Sequence, residues 1–492
     1  MSFVSVEFIL FLILTIFAYF IIPKKIRFLV LLIANTVFYA WGCGWNILFL
    51  IASAISVYVG GLAINKFPKH KKLSMLTVLL LNVGTLSILK EHNFFIENFN
   101  KMFGQNFSLW NIAVPMGISY YTLVALSYLI DVYLGKIKAT KNFFKVYLTT
   151  TFFPLMVEGP IVKFNEVADN LFEGQSFYYN NLKYGFLRIL LGFAKKIVLA
   201  DRVAVLVDQV FAGSYSGPII IVAMILYVVQ IYAEFSGCMD IVLGIAKIFN
   251  IKLPENFKEP FASKNVSEFW RRWHITLGRW LKDYIYFPLV MSKFSMKISR
   301  ITHKKLPRFL ADTISNIIPL FFVWFTMGIW HGYGSKYVLY GMYWFDIIIV
   351  GMLLKPVFDF IINKLKIKTK CFSFRLFQML RTFGIVTLGL ALFRADTVDT
   401  LIYLLKGALR SGSFSISQLL NGTQNLLIIM FCVLALIIYD FIKFKGFDIE
   451  KWFEEQNLVF RYLVFVGLLF FVLTLGMYGY GYDPSSFIYG GF

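Results

Sequence analysis

The chain has 492 residues, of which 59% are hydrophobic and 15% charged, with a mean hydropathy of +0.70. Soluble domains carry about 25% charged residues, and 55 phenylalanines are more than a water-facing surface accommodates. A soluble enzyme is excluded, and an integral membrane protein is indicated. The net charge of +21 sits in short gaps between apolar runs, so the positive-inside rule explains it better than nucleic acid does. Attraction of an anionic ligand is a second use for the same charge. Cys43, Cys238, Cys371 and Cys432 form no CxxC pair, which points to neither a disulfide framework nor a metal cluster.

The first apolar run, Phe8 to Ile22, has no basic residue before it and Pro23-Lys24-Lys25-Ile26-Arg27 after it. That order reads as a retained first span with its N-terminus outside, rather than a cleaved leader. Further spans are expected near 28–42, 46–64, 73–89, 116–134, 218–236, 309–330, 337–354, 376–394, 424–442 and 458–480. Placing the basic gaps in the cytoplasm makes these spans alternate, provided one more crossing lies between 146 and 217. The stretch 183–212 suits it, made partly interfacial by Lys195, Lys196 and Arg202. The expectation is an all-α, multi-pass protein of the cell membrane, one domain over 1–492, with about 11–12 spans and both termini extracytoplasmic.

Two stretches are not simple spans. Phe152-Phe153-Pro154 and Glu158-Gly159-Pro160 interrupt an apolar run. Broken backbone at membrane depth is tolerated only under cover of protein or along a water-filled cavity, so 146–161 reads as a re-entrant or broken helix lining a cavity. From Ser267 to Pro288, Trp270, Trp273, Leu277, Trp280, Leu281 and Tyr284 share one arc at about 100° per residue, opposite Arg271, Arg272, Arg279, Lys282 and Asp283. This predicts an interfacial helix with indoles at headgroup depth, followed by a basic loop, so that 266–308 lies on the cytoplasmic side.

His331 closes the apolar run that begins at Phe309, within Gly328-Ile329-Trp330-His331-Gly332. An ionisable group there is costly and marks a functional candidate, and imidazole suits proton transfer near neutral pH. The competing reading is a histidine that merely caps the end of a span. Gly328 and Gly332 allow close backbone approach by either a substrate or a neighbouring helix. His274, on the aromatic arc, is either a satisfied core residue or a group that orients substrate. Arg271, Arg272 and Lys282 suit lipid headgroups first and donor phosphates second. Buried Asp131, Glu234 and Asp240 need partners, most economically the cations of 258–282. His70, His92 and His303 lie in polar gaps and read as solvated. The chain has no GxxxxGK loop, HExxH pair or GxSxG elbow. Direct transfer is therefore the economical mechanism, with His331 taking a proton from an acceptor hydroxyl. A transporter or export scaffold is the competing class. Its mark would be paired interrupted helices in two repeated halves, and only the interruption at 152–160 is visible.

The chain resembles the membrane-bound O-acyltransferase family, in its bacterial branch of alginate O-acetyltransferases and related polysaccharide and peptidoglycan acetylation proteins. The resemblance rests on Val114-Pro115-Met116-Gly117-Ile118-Ser119-Tyr120-Tyr121-Thr122, Phe152-Phe153-Pro154 with Gly159-Pro160-Ile161, Gln230-Ile231-Tyr232 with Phe235-Ser236-Gly237, and Leu253-Pro254-Glu255-Asn256-Phe257. Glu268-Phe269-Trp270-Arg271-Arg272-Trp273-His274-Ile275-Thr276-Leu277, Gly328-Ile329-Trp330-His331-Gly332 and Leu392-Phe393-Arg394-Ala395 complete it. Glu158, Ala233-Glu234, Cys238 and the ending 487–492 depart from the pattern.

The resemblance implies a helical membrane fold around a central funnel or tunnel. His331 would be the catalytic histidine and His274 the second functional one, with Trp330, Arg271, Arg272, Trp273, Glu234 and Asn256 as substrate- or donor-binding candidates. It also implies a cytoplasmic thioester donor such as acetyl-CoA, no bound cofactor or metal, an exported polysaccharide acceptor, and an extracytoplasmic SGNH-type transferase or hydrolase partner.

Overall fold

The computed structural model describes residues 2–479 other than Ser214, Tyr333, 413–415 and Asn421, together with Tyr482. The departing ending 487–492 lies outside the described residues. Among the described residues the regular structure is entirely helical. Seven helical segments are long and apolar enough to cross a bilayer, from Lys24–Lys66, which holds two helices, to Leu458–Leu475; Val6–Ile21 and Ile118–Tyr133 are shorter apolar helices. The protein is thus a multi-pass membrane protein, and a helix lies over each expected span.

The contacts divide the chain into two bodies. The first is built from the segments up to Asp201, from Ile231 to Glu255 and from Asp448 onward; the second from Arg202 to Gln230 and from Asn256 to Phe447.

The first body contains α1 (Val6–Ile21), α2 (Arg27–Cys43), α3 (Ile47–Lys66), α4 (Lys71–Phe103), α5 (Ile118–Tyr133), α6 (Phe143–Thr151), α7 (Phe164–Phe172) and α8 (Tyr179–Phe193). The expected interruption is present. Helix α6 stops at Thr151, one 3-10 turn follows at Phe153–Leu155, and 151–162 are all buried. Backbone freed in an apolar setting needs partners. Fully buried Asn35 supplies one, its Oδ1 accepting from the Phe153 N–H at 2.9 Å while its amide donates to Thr151 Oγ1 at 3.3 Å. Gly117 packs against the same segment with φ +68°; a Cβ there would fall 1.7 Å from the Met156 carbonyl oxygen. Only glycine fits.

After α8 the chain widens into a π-helical turn, Ala194–Ala200, before α9 (Asp201–Ala212) and α10 (Ile219–Ile248). Lys195 and Lys196 on that turn are buried, not interfacial as expected. The carboxylates are paired with cations of their own body. Lys195 reaches Asp240 at 2.7 Å, Arg188 reaches Asp240 at 3.0 Å, and Lys196 reaches Glu234 at 3.3 Å and Asp201 at 2.8 Å. Asp131 pairs with Lys136 at 3.4 Å. A π turn inserts one extra residue per turn, which presents two consecutive lysines toward α10. Gly185 with Gly244, and Gly192 with Gly237, let α8 and α10 touch backbone to backbone and bring those charges within reach.

In the second body the predicted interfacial helix is broken. It runs as α11 (Val266–Arg272), α12 (Ile275–Leu281), a π turn at Lys282–Tyr286 and α13 (Phe287–Val290). The aromatic arc is real, but Trp273, Trp280 and Tyr284 are buried in protein rather than exposed to lipid. Helix α14 (Lys293–Lys305) carries the basic segment into α15 (Arg308–His331), which forms a hairpin with α16 (Ser335–Lys364); α17 (Phe372–Arg394) follows.

The α15–α16 crossing uses glycine for helix packing. A Cβ on Gly328 would lie 2.4 Å from the Tyr337 carbonyl oxygen, and one on Gly341 would lie 2.3 Å from that of Trp324. Gly328→Ala is therefore expected to destabilise the protein by about 1–3 kcal/mol through overpacking. Gly351→Ala on the same hairpin, where a Cβ meets nothing within 4 Å, should be neutral or mildly stabilising. Thermal unfolding in detergent separates the two; equal midpoints would contradict the packing role.

Candidate active site

His331 is the last residue of α15 and is 3% exposed. Three rings stand edge-on to its imidazole: Trp330 at 4.9 Å, Phe393 at 5.2 Å and Tyr340 at 5.9 Å between centroids. Gly332 keeps the next turn tight, since a Cβ there would meet the Tyr337 ring at 2.5 Å. Lys336, in the first turn of α16, donates to the Ala395 carbonyl at 2.9 Å. That bond holds the Leu392–Ala395 motif, and with it Phe393, beside the histidine. The ring is thus oriented by packing against three aromatic side chains.

His274 lies at the break between α11 and α12 in left-handed conformation, φ 47° and ψ 51°. A side chain other than glycine there costs about 1–2 kcal/mol, so neighbouring bonds must hold it. Asn256 provides them. Its backbone carbonyl accepts from the Ile275 N–H at 3.0 Å, and the Lys258 N–H donates to the Arg272 carbonyl at 2.9 Å. Asn256 Oδ1 accepts from the Thr276 N–H at 3.0 Å and from its hydroxyl at 3.0 Å, and lies 3.2 Å from His274 Nδ1. A peptide N–H can only donate, so the amide atom facing Thr276 is the oxygen. His274 Nδ1 then carries the hydrogen, and Nε2 carries the lone pair.

Burial pushes the His274 imidazole down to about 3, because a low-dielectric setting disfavours the cation. An unfolded histidine titrates near 6.5, so below that pH the unfolded chain takes up a proton that the folded chain refuses. This contribution to stability is complete at pH 7 and is lost as pH falls, by about 1.4 kcal/mol per unit. Thermal unfolding at pH 5 should show a loss of roughly 2 kcal/mol from this residue. His274→Asn, which tolerates the left-handed backbone, should remove that share; an unchanged acid dependence would show that the ring is hydrated and titrates normally.

The structure brings four of the sequence candidates together. The Trp330 indole adjoins both imidazoles, 4.9 Å from His331 and 6.0 Å from His274, and Asn256 anchors the latter. Trp273 packs against Phe257 and Phe269 as core. Arg272 is engaged by Glu268 at 3.0 Å and by the Lys258 carbonyl at 3.1 Å, whereas Arg271 is exposed. Glu234 belongs to the ion pairs of the first body.

Among the remaining histidines, His92 is buried, not solvated, with its Nε2 3.1 Å from the Trp110 carbonyl oxygen. His70 is exposed; His303 is half-exposed and bonds Asp312 at 2.9 Å. The Ser299 carbonyl, then the Asp312 carboxylate, raise the His303 pKa. Tyr340 was missed by sequence reasoning. Its signal was the stripe Tyr337, Tyr340, Trp344 at helical spacing along one face of α16.

The sequence model of the membrane-bound O-acyltransferase family matches residues 71–302. The "Probable alginate O-acetylase AlgI" of Pseudomonas putida is 30% identical over 458 residues, covering 89% of this chain and 86% of that protein. The peptidoglycan O-acetyltransferase of Helicobacter pylori is 29% identical, over 81% of this chain and 76% of its own length. The teichoic acid D-alanyltransferase of Bacillus subtilis is 28% identical over 47% of this chain and 58% of its own.

Proposed function

This chain belongs to the membrane-bound O-acyltransferase family, and from that premise we propose that it moves a small acyl group, acetyl in the first instance, across the membrane. The donor in this reading is a cytoplasmic thioester such as acetyl-CoA. The acceptor is a hydroxyl of an exported polysaccharide, or of an extracytoplasmic SGNH-type partner that modifies the polymer. The basic gaps then face the cytoplasm, and the termini lie outside. Relatives named for alginate, peptidoglycan and teichoic acid support a cell-surface polymer as the class of acceptor.

The observation that carries the reading is the pair of buried imidazoles that adjoin one indole at the end of a membrane helix. In the proposed step His331 removes the acceptor hydroxyl proton as the oxygen attacks the thioester carbonyl. The tetrahedral intermediate collapses, the C–S bond breaks, and the imidazolium returns the proton to the departing thiolate. His274 is the positioning residue, its Nε2 lone pair accepting a hydrogen bond while Asn256 fixes its tautomer.

The test is incubation of the purified protein in lipid with radiolabelled acetyl-CoA and cell-wall or capsule fractions. Label is expected in the polymer or in a co-purified partner. Polymer movement without label transfer, from acetyl-CoA or another acyl thioester, would replace this reading with a transporter.

A further inference from the structure

A cavity of ≈ 80 Å³ lies in the first body between α3, α4 and α5. Phe49 and Leu81 form part of its rim, and Leu81 is 56% exposed, so the cavity opens on the apolar outer surface of α4, which also bears exposed Leu73, Leu76 and Leu80. Its wall is uncharged and mostly apolar, with a polar patch at Ser53, Ser56 and Asn82. Asn82 Oδ1 accepts from the Ser53 hydroxyl at 2.6 Å, and its amide donates to Ser56 Oγ at 2.8 Å and to the Val78 carbonyl at 2.9 Å.

Thr85 and Thr122 line the same cavity. Elsewhere in the apolar helices Thr15, Thr36 and Thr150 donate to the carbonyl four residues back, at 2.7, 2.9 and 2.9 Å. Neither Thr85 nor Thr122 makes that bond, and neither hydroxyl has a partner among the described residues, although Thr122 is only 2% exposed. Thr85 is half-buried, and both threonines line the cavity, so their hydroxyls are open to an acceptor from outside the chain.

The depth of the cavity narrows the choice. Its residues fall within the first ten positions of α3 and the first five of α5. At 1.5 Å per residue that is within about 14 Å of both helix starts, near the border of hydrocarbon and headgroups. One turn farther along α4 toward that end, Lys90 Nζ lies 3.5 Å from Ser119 Oγ in the first turn of α5. We infer that the cavity holds the glycerol-ester portion of a phospholipid. Its ester oxygens accept from Thr85 and Thr122, its phosphate meets the Lys90 ammonium, and its tails run along the leucines of α4. The site is independent of the histidines and of acyl transfer.

The test compares phospholipid retained by detergent-washed protein, measured by native mass spectrometry, for the wild type, Thr85→Val/Thr122→Val and the cavity-filling Ala52→Leu. Valine keeps the threonine shape, and neither hydroxyl bonds the protein. Losing two bonds of about 1 kcal/mol each should lower retention by roughly 10–30-fold. Unchanged retention in both variants would mean that the cavity holds only water. A phospholipid with a photoreactive group at its glycerol, applied to the wild-type protein, reads the site without any variant. Labelling of 49–56 or 118–122 supports it, and labelling confined to other segments overturns it.

Discussion

Acyl transfer by His331→Ala is expected to fall by about 10²–10⁴-fold, the contribution of a positioned general base, with the loss in kcat rather than in KM for the thioester. In the proposed step the donor keeps its binding surface, and what disappears is the group assigned to accept the hydroxyl proton in the transition state. The three rings around the imidazole come from α15, α16 and α17, so truncation also opens a void. Loss of fold must be separated from loss of chemistry. His331→Gln supplies that control: it fills most of the space and retains hydrogen bonding, yet cannot cycle a proton near neutral pH. Both variants should insert and elute as the wild type does, and both should be inactive. Activity within threefold of wild type in His331→Gln would remove the base from the mechanism and leave His331 as a packed helix terminus.

Much of the fold was legible because bilayer thickness leaves few ways to write a span. Apolar runs between basic gaps became helices, from Val6–Ile21 to Leu458–Leu475, although Lys71–Phe103, Ile219–Ile248 and Ser335–Lys364 run past the expected ends of their spans. The break at Thr151–Val162 was legible for the same reason: Pro154 and the Gly159-Pro160 pair cannot continue a helix. Charge partners were not. Which cation meets Asp240 depends on a π turn and on glycine contacts between α8 and α10, and neither leaves a periodic mark in the sequence. The break at His274 was hidden more deeply. Hydropathy at 100° per residue draws one smooth arc from Trp270 to Tyr284 whether or not the backbone is continuous. The interruption is imposed from elsewhere in the chain, by Asn256 in the segment Leu253–Phe257. His331 stood out from the sequence because it ends an apolar run; its shell did not, because Tyr340 and Phe393 arrive from other helices.

Asn256→Leu is expected to destabilise the protein by on the order of 3–6 kcal/mol and to abolish activity without touching either histidine. One amide oxygen faces three donors: the Thr276 N–H, the Thr276 hydroxyl and His274 Nδ1–H. Removing it strands all three in a buried setting at about 1–3 kcal/mol apiece, and partial relaxation of the backbone brings the total to the stated range. Those bonds also hold His274 in its left-handed conformation, so their loss lets α11 and α12 straighten toward the continuous helix that the sequence pattern favours. The ring would then swing away from Trp330.

Asn256→Asp distinguishes this account from a general intolerance of substitution. Its carboxylate accepts from the same three donors, so the break should survive. The added negative charge beside Nδ1–H stabilises imidazolium, which should raise the His274 pKa and move the acid limb of the pH–rate profile upward. His274→Asn supplies the complement: asparagine tolerates the backbone at low cost, keeping the fold while losing the ring. An Asn256→Leu protein with a wild-type unfolding midpoint and undiminished acyl transfer would show that the strained residue is held by something other than this amide, and that its orientation is incidental to the reaction.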